Sequence, residues 1–224
     1  MIRVRQVSHR LGGRLVLDGL ELDLAEHRIG VVGANGSGKS TFARLLNGLV
    51  VPDRGTVSVD DLDTRRNGAA VRRRVGFVFT DPDAQIVMPT VAEDVALSLR
   101  RHSLPAQERA ARVADALAAV GLVGFDDRPS HLLSGGEKQL LALASVLVAQ
   151  PDVLVCDEPT TLLDLRNTRR VLRILLGLPQ RLVMVTHDLD TLEEFDRVLV
   201  FESGRVVVDA APPEALAAYR AQVG

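Results

Sequence analysis

Apolar positions fall in two rhythms along the chain. Short runs rich in Val, Leu and Ile occupy residues 2–7, 15–24, 28–32, 56–59, 75–79, 153–156 and 182–186, and they predict β-strands. The 15–24 run is expected to break at a turn near Asp18-Gly19. The runs at 153–156 and 182–186 carry no polar alternation, the pattern of strands buried on both faces of a parallel sheet. Residues 198–201 and 205–208 flank Ser203-Gly204, a hairpin signal. Helical spacing appears instead at Phe42, Leu45, Leu46 and Leu49 and dominates residues 91–149, where Gly121 ends the segment 106–120. Pro212-Pro213-Glu214 opens a last amphipathic helix. The layout is an α/β core, residues 1–79 and 151–224, with a helical insert at 80–150.

The 224 residues and ordinary apolar content suit one domain with a sizeable core. A single cysteine, Cys156, rules out a disulfide framework, points to a reducing compartment and reads as a small core residue. The net charge of −2 and the absence of Trp argue against a nucleic-acid surface. Arginine clusters at 65–66, 72–74 and 100–101 read as solvated faces. His9, His27, His102 and His131 have no metal-ligand spacing. The N-terminus lacks the apolar stretch of a signal peptide, and no run of about 20 apolar residues occurs. Any link to a membrane is therefore expected through a partner, without direct insertion.

Gly33-Ala34-Asn35-Gly36-Ser37-Gly38-Lys39-Ser40-Thr41 follows an apolar strand and opens a helix. Glycines let successive N–H groups curl around phosphate oxygens, and the helix start adds partial positive charge. Lys39 would reach the β- and γ-phosphates and the Ser40 hydroxyl would ligate Mg²⁺. The loop alone does not separate kinases, GTPases and ATPases. The run 153–156 ends in Asp157-Glu158. Asp157 suits Mg²⁺ binding, and Glu158 suits a base for an attacking water. An acidic turn after a strand would look the same.

Ser134-Gly135-Gly136-Glu137 precedes a long helical pattern. It fits a capping box, yet two glycines are poor helix formers and make sense where a backbone approaches an anion. Here the sequence resembles the ABC (ATP-binding cassette) ATPases. Leu133–Glu137 reads as that family's signature, Thr160–Asp164 as its D-loop, and Val185-Thr186-His187-Asp188 as its switch histidine. The resemblance implies a RecA-like P-loop NTPase core with a parallel sheet, an N-terminal antiparallel β subdomain and an inserted α-helical signature subdomain.

It further implies head-to-tail pairing of two ATPase subunits, with ATP and Mg²⁺ on one subunit's Gly33–Thr41 loop and under its partner's Ser134 and Gly136. His187 would contact the γ-phosphate and Asp164 would couple the two sites. A homodimer is expected, because Glu158 and the other motifs are intact. Two positions depart from the family pattern. Leu11 stands where an aromatic residue usually stacks on adenine, with His9 a candidate substitute. Thr80 stands where a glutamine usually senses Mg²⁺. Residues 79–86 are similar to a segment of energy-coupling-factor importers, in which Gln85 would border the groove receiving a transmembrane partner. The stretches 26–53 and 75–100 look most like the ATPase subunit of biotin importers. The branch implies a transmembrane coupling subunit, a substrate-binding membrane subunit and a place at the cytoplasmic face of the inner membrane. The competing expectation is an ABC ATPase acting on ribosomes or DNA.

Overall fold

The structure, a computed structural model, describes residues 1–100 and 102–223, so Arg101 of the expected 100–101 cluster lies outside them. Residues 1–77, 152–158 and the chain from Gln180 onward make one unit; residues 78–151 and 159–179 make a second. The sequence reading places 159–179 in the core. The structure groups them with the helical unit, where the helix they contain packs on the helix that follows Ser134.

In the first unit, β1 (Ile2–Leu11) and β2 (Arg14–Leu24) form a hairpin closed at Gly12-Gly13. With β4 (Arg54–Val59) and β5 (Leu62–Asp63) they build an antiparallel sheet ordered β2-β1-β4-β5. The turn expected at Asp18-Gly19 is absent; β2 runs through it. The pairing register slips between Val4 and Val7 and again between Val7 and His9. Gly19, at a φ of 64°, donates its N–H to the Ser8 hydroxyl at 3.0 Å. A bulge absorbs the turn signal, because it too needs a residue tolerant of positive φ.

The second sheet has the order β10-β9-β3-β8-β7-β6. Its strands are β3 (Arg28–Gly33), β6 (Val75–Val78), β7 (Val153–Asp157), β8 (Arg181–Val185), β9 (Arg197–Glu202) and β10 (Arg205–Ala210). Parallel pairing joins β7 to β8, β8 to β3 and β3 to β9, while β10 returns antiparallel as the expected hairpin. All five residues of β7 are buried, Cys156 among them, as expected of a strand covered on both faces. The helix α1 (Lys39–Leu46) buries Phe42, Leu45 and Leu46, and the Phe42 ring meets that of Phe201 with centroids 5.0 Å apart. This unit also holds α2 (Gly68–Arg74) and α7 (Pro212–Val223).

The second unit is built on α3 (Val91–Leu97), α4 (Ala106–Ala119), α5 (Gly135–Leu147) and α6 (Leu165–Gly177). Leu140 to Ala144 of α5 are all buried, so this helix is the unit's apolar centre. One carboxylate lies inside. Asp94, 3% exposed, accepts from the Val87 and Met88 N–H groups at 2.9 and 3.1 Å and from the Ser145 hydroxyl at 2.8 Å. Three donors offset the cost of burying it. Among the described residues no helix is long and apolar enough to cross a membrane.

Candidate nucleotide site

The loop between β3 and α1 surrounds a pocket of about 330 Å³. Asn35, Gly36, Gly38, Lys39, Ser40 and Thr41 line one end, Glu158 borders it, and Leu11, Arg14 and Val16 of the β1–β2 hairpin line the other. Gly38 begins the helix at a φ of 105°. A Cβ there would lie 2.7 Å from the Val16 carbonyl oxygen and 2.8 Å from Leu17 Cδ2, so only glycine lets the hairpin approach the loop this closely.

Lys39 folds back over this loop. It is 5% exposed, and its Nζ donates to the carbonyls of Gly33 at 2.8 Å and Ala34 at 2.9 Å. Burial pulls its pKa below the usual lysine value, opposed by the nearby charges of Glu158 and Asp157. Ser37 has a buried hydroxyl without a hydrogen-bond partner among the described residues. Such an orphan inside a loop of this kind marks a place built for a ligand.

The C-terminal end of β7 brings up the carboxylates. Ser40 Oγ donates to Asp157 Oδ1 at 2.8 Å, and Arg44 Nη2 lies 3.7 Å from Asp157 Oδ2. Asp157 is 1% exposed; burial raises its pKa, against the lowering effects of Ser40 and Arg44. Glu158 turns away at a φ of 51°, its N–H donating to the Val185 carbonyl at 3.0 Å. Its Oε1 lies 2.8 Å from His187 Nε2, at the end of β8. The paired hydroxyl and carboxylate of Ser40 and Asp157 are hard oxygen donors and fit Mg²⁺. His9 does not line the pocket. Its Nδ1 sits 3.2 Å from Asp53 Oδ2, without hydrogen-bond alignment.

In the helical unit, Ser134 caps α5. Its hydroxyl accepts from the Glu137 N–H at 3.4 Å, while Glu137 Oε2 accepts from the Ser134 N–H at 2.7 Å. The Ser134 N–H and the Ser134 hydroxyl, at 2.8 Å, both donate to Glu137 Oε2, and together they hold that carboxyl below the usual pKa range. Gly136 touches α6: a Cβ on it would lie 2.3 Å from Asn167 Cγ. Asn167 in turn donates its N–H to Asp164 Oδ1 and its Nδ2 to Asp164 Oδ2, at 2.8 and 3.1 Å. The residues read as signature and D-loop thus meet through Asn167, which the sequence reading did not single out.

Thr80 follows β6 and is half-buried. Gln85 is held inside its own unit, donating to the Ala142 carbonyl at 3.0 Å and accepting from the Phe79 N–H at 3.3 Å. Its neighbours Ile86, Val87 and Met88 line a separate pocket of about 310 Å³, where Lys138 Nζ donates to Asp83 at 2.7 Å.

Residues 17–161 match the ABC transporter family. A protein of Deinococcus radiodurans described as an ABC transporter ATP-binding protein is 57% identical over 98% of this chain and 97% of its own. The biotin transport ATP-binding protein BioM of Rhizobium etli is 47% identical over 98% and 97%. A dimeric ATP-binding cassette, solved in a post-hydrolysis state with ADP and Pi, superimposes with a TM-score of 0.82 at 25% identity, over 95% of this chain and 99% of that one. The chain therefore belongs to the ABC transporter family and is one of its ATP-binding, ATP-hydrolysing subunits.

Proposed function

We propose that this subunit powers uptake of a small solute, biotin foremost, by closing with a second copy over two ATP molecules at the cytoplasmic face of the membrane. Contacts at the end of β7 carry the reading: Ser40 on Asp157, and Glu158 beside His187. A hydroxyl, two carboxylates and an imidazole beside the loop that carries Lys39 support a triphosphate bound there.

Lys39 leaves the Gly33 and Ala34 carbonyls for the β- and γ-phosphate oxygens, and the loop N–H groups of residues 34–41 take the rest of the charge. Ser40 and Asp157 would hold Mg²⁺. When bound, the ion neutralises phosphate charge and orients the γ-phosphate. Glu158 accepts the proton of the attacking water. His187 steadies Glu158 and faces the γ-phosphate. The partner's phosphate contacts come from its capped helix start, Ser134 to Glu137, and Asp164 links that helix to the D-loop through Asn167. Gln85 holds the segment facing the transmembrane coupling subunit, which with a substrate-binding membrane subunit completes the importer.

Likeness to the biotin protein of Rhizobium etli supports biotin as the solute. The test is uptake of labelled biotin and of labelled cobalt by cells that co-express the subunit with the membrane proteins it co-purifies with. ATP-dependent biotin uptake, lost in Glu158→Gln, is expected. Cobalt uptake alone would replace the solute, and uptake of neither, with ribosomes or DNA co-purifying instead, would overturn the importer.

A further inference from the structure

The start of α5 carries a charge of the wrong sign for the anion proposed to meet it. A helix start has about half a positive charge. Glu137, in the first turn, brings a full negative one. Its Oε2 accepts from the Ser134 N–H at 2.7 Å and the Ser134 hydroxyl at 2.8 Å. Those bonds, and then the charges of Arg128 and Arg170, hold its pKa low, so the group is ionised at neutral pH. By itself this turn would be net negative and would repel a phosphate. Yet the turn is open to approach. A Cβ on Gly135 would meet no atom within 4 Å outside its own turn, so neither packing nor a positive φ asks for glycine there.

One cation restores the sign. Arg128 Nη1 lies 3.3 Å from Glu137 Oε1, the oxygen that Ser134 leaves free. Among the described residues this carboxylate is its ion-pair partner, although Asp126 and Asp127 adjoin it in the chain. The guanidinium is held in place without any ligand. Its Cζ lies 4.6 Å from the centre of the Phe125 ring. Its backbone is tied on both sides: the Arg128 N–H donates to the Phe125 carbonyl at 2.8 Å, and the Val91 N–H donates to the Arg128 carbonyl at 3.1 Å. Arg170 is engaged elsewhere, donating to the Val120 and Gly121 carbonyls at 3.1 and 2.8 Å. With Arg128 beside Glu137, the turn returns to about half a positive charge.

We infer that Arg128 is a positioning residue for the shared nucleotide: paired with Glu137, it cancels that carboxylate's charge and lets the start of α5 receive a triphosphate held by a second copy. The inference rests on the two-copy reading proposed above. Arg128 acts through Glu137 and touches no phosphate itself.

Sedimentation of the Glu158→Gln protein in saturating MgATP gives the dimer dissociation constant that tests it. An exposed ion pair is worth about twofold to fivefold, and a symmetric dimer uses this one twice. Arg128→Ala should therefore weaken the dimer about fivefold to 25-fold. Arg128→Lys keeps the charge and should stay within about threefold of the parent. Glu137→Gln retains a capping side chain but has no charge to cancel. Adding Arg128→Ala to Glu137→Gln should then change the dimer by about twofold or less. The same loss from Arg128→Ala with and without Glu137→Gln would overturn the inference and leave the two-copy site standing. So would an Arg128→Ala dimer as tight as its parent, or an Arg128→Lys dimer as weak as that of Arg128→Ala. A Glu158→Gln protein that binds MgATP and stays monomeric would remove both.

Discussion

Replacing Lys39 by alanine separates the two tasks of that side chain. In the free protein its ammonium satisfies two carbonyls of its own loop. Removing it orphans the buried Gly33 carbonyl, at a cost of about 1–3 kcal/mol, while that of exposed Ala34 rehydrates. The desolvation that depresses the lysine pKa is relieved at the same time. The two changes oppose each other, so Lys39→Ala should melt close to the parent protein. Nucleotide binding has no such compensation. Two charge-assisted bonds to phosphate oxygens, at about 1.5–3 kcal/mol each, disappear. The loss is about 3–6 kcal/mol, or roughly 10²- to 10⁴-fold in affinity. Titration calorimetry with MgATP reads this directly, and a melting curve confirms that the variant is folded. A folded variant whose affinity lies within about threefold of the parent would refute the reasoning.

Glu158→Gln keeps the shape and an acceptor toward His187 but loses the proton-accepting charge; ATP binding should persist while turnover falls about 10²- to 10⁴-fold, measured as phosphate release, and normal hydrolysis would reject Glu158 as the base. Burial raises the Asp157 pKa, so the folded protein holds that proton to higher pH than the unfolded chain, and the group's stabilisation is full below about pH 4 and declines as pH rises through the raised value. Asp157→Asn should therefore melt above the parent at pH 7, with the gap closing toward pH 4; equal midpoints at pH 7 would contradict this. Gly38→Ala forces a Cβ against Val16 and Leu17 at a positive φ, which should cost about 2–5 kcal/mol and lower the melting midpoint by at least about 5 °C. An unchanged midpoint would show that the hairpin gives way freely.

Features carried by local chemistry were legible in the chain. The β3–loop–α1 passage announces itself through a continuous apolar run, spaced glycines and a helix start, and the Ser134–Glu137 capping box forms as read. The β7 and β8 runs lie in the parallel sheet because their lack of alternation admits no solvent face. Misreadings arose where one residue type serves two geometries. Gly19 makes a bulge as readily as a turn. Asp164, taken as a D-loop residue, is also the N-cap of α6, whose buried Val171 and Leu175 give the helical spacing that the sequence reading passed over. Partners distant in sequence left no local trace. His9 meets Asp53, Gln85 reaches Ala142, and Arg14 joins the pocket only because the hairpin folds over the phosphate loop. The Ser40–Asp157 bond spans 117 positions, and only the pairing of two motifs hinted at it.

The central claim is that two chains share each nucleotide, one supplying Lys39 and the other Ser134. Light scattering on Glu158→Gln measures this, without nucleotide and with saturating MgATP. The account predicts monomer without nucleotide, dimer with it, and loss of that dimer in Glu158→Gln/Ser134→Arg, although the double variant still binds MgATP. A Glu158→Gln protein that binds MgATP and stays monomeric, or a dimer indifferent to Ser134→Arg, would contradict it.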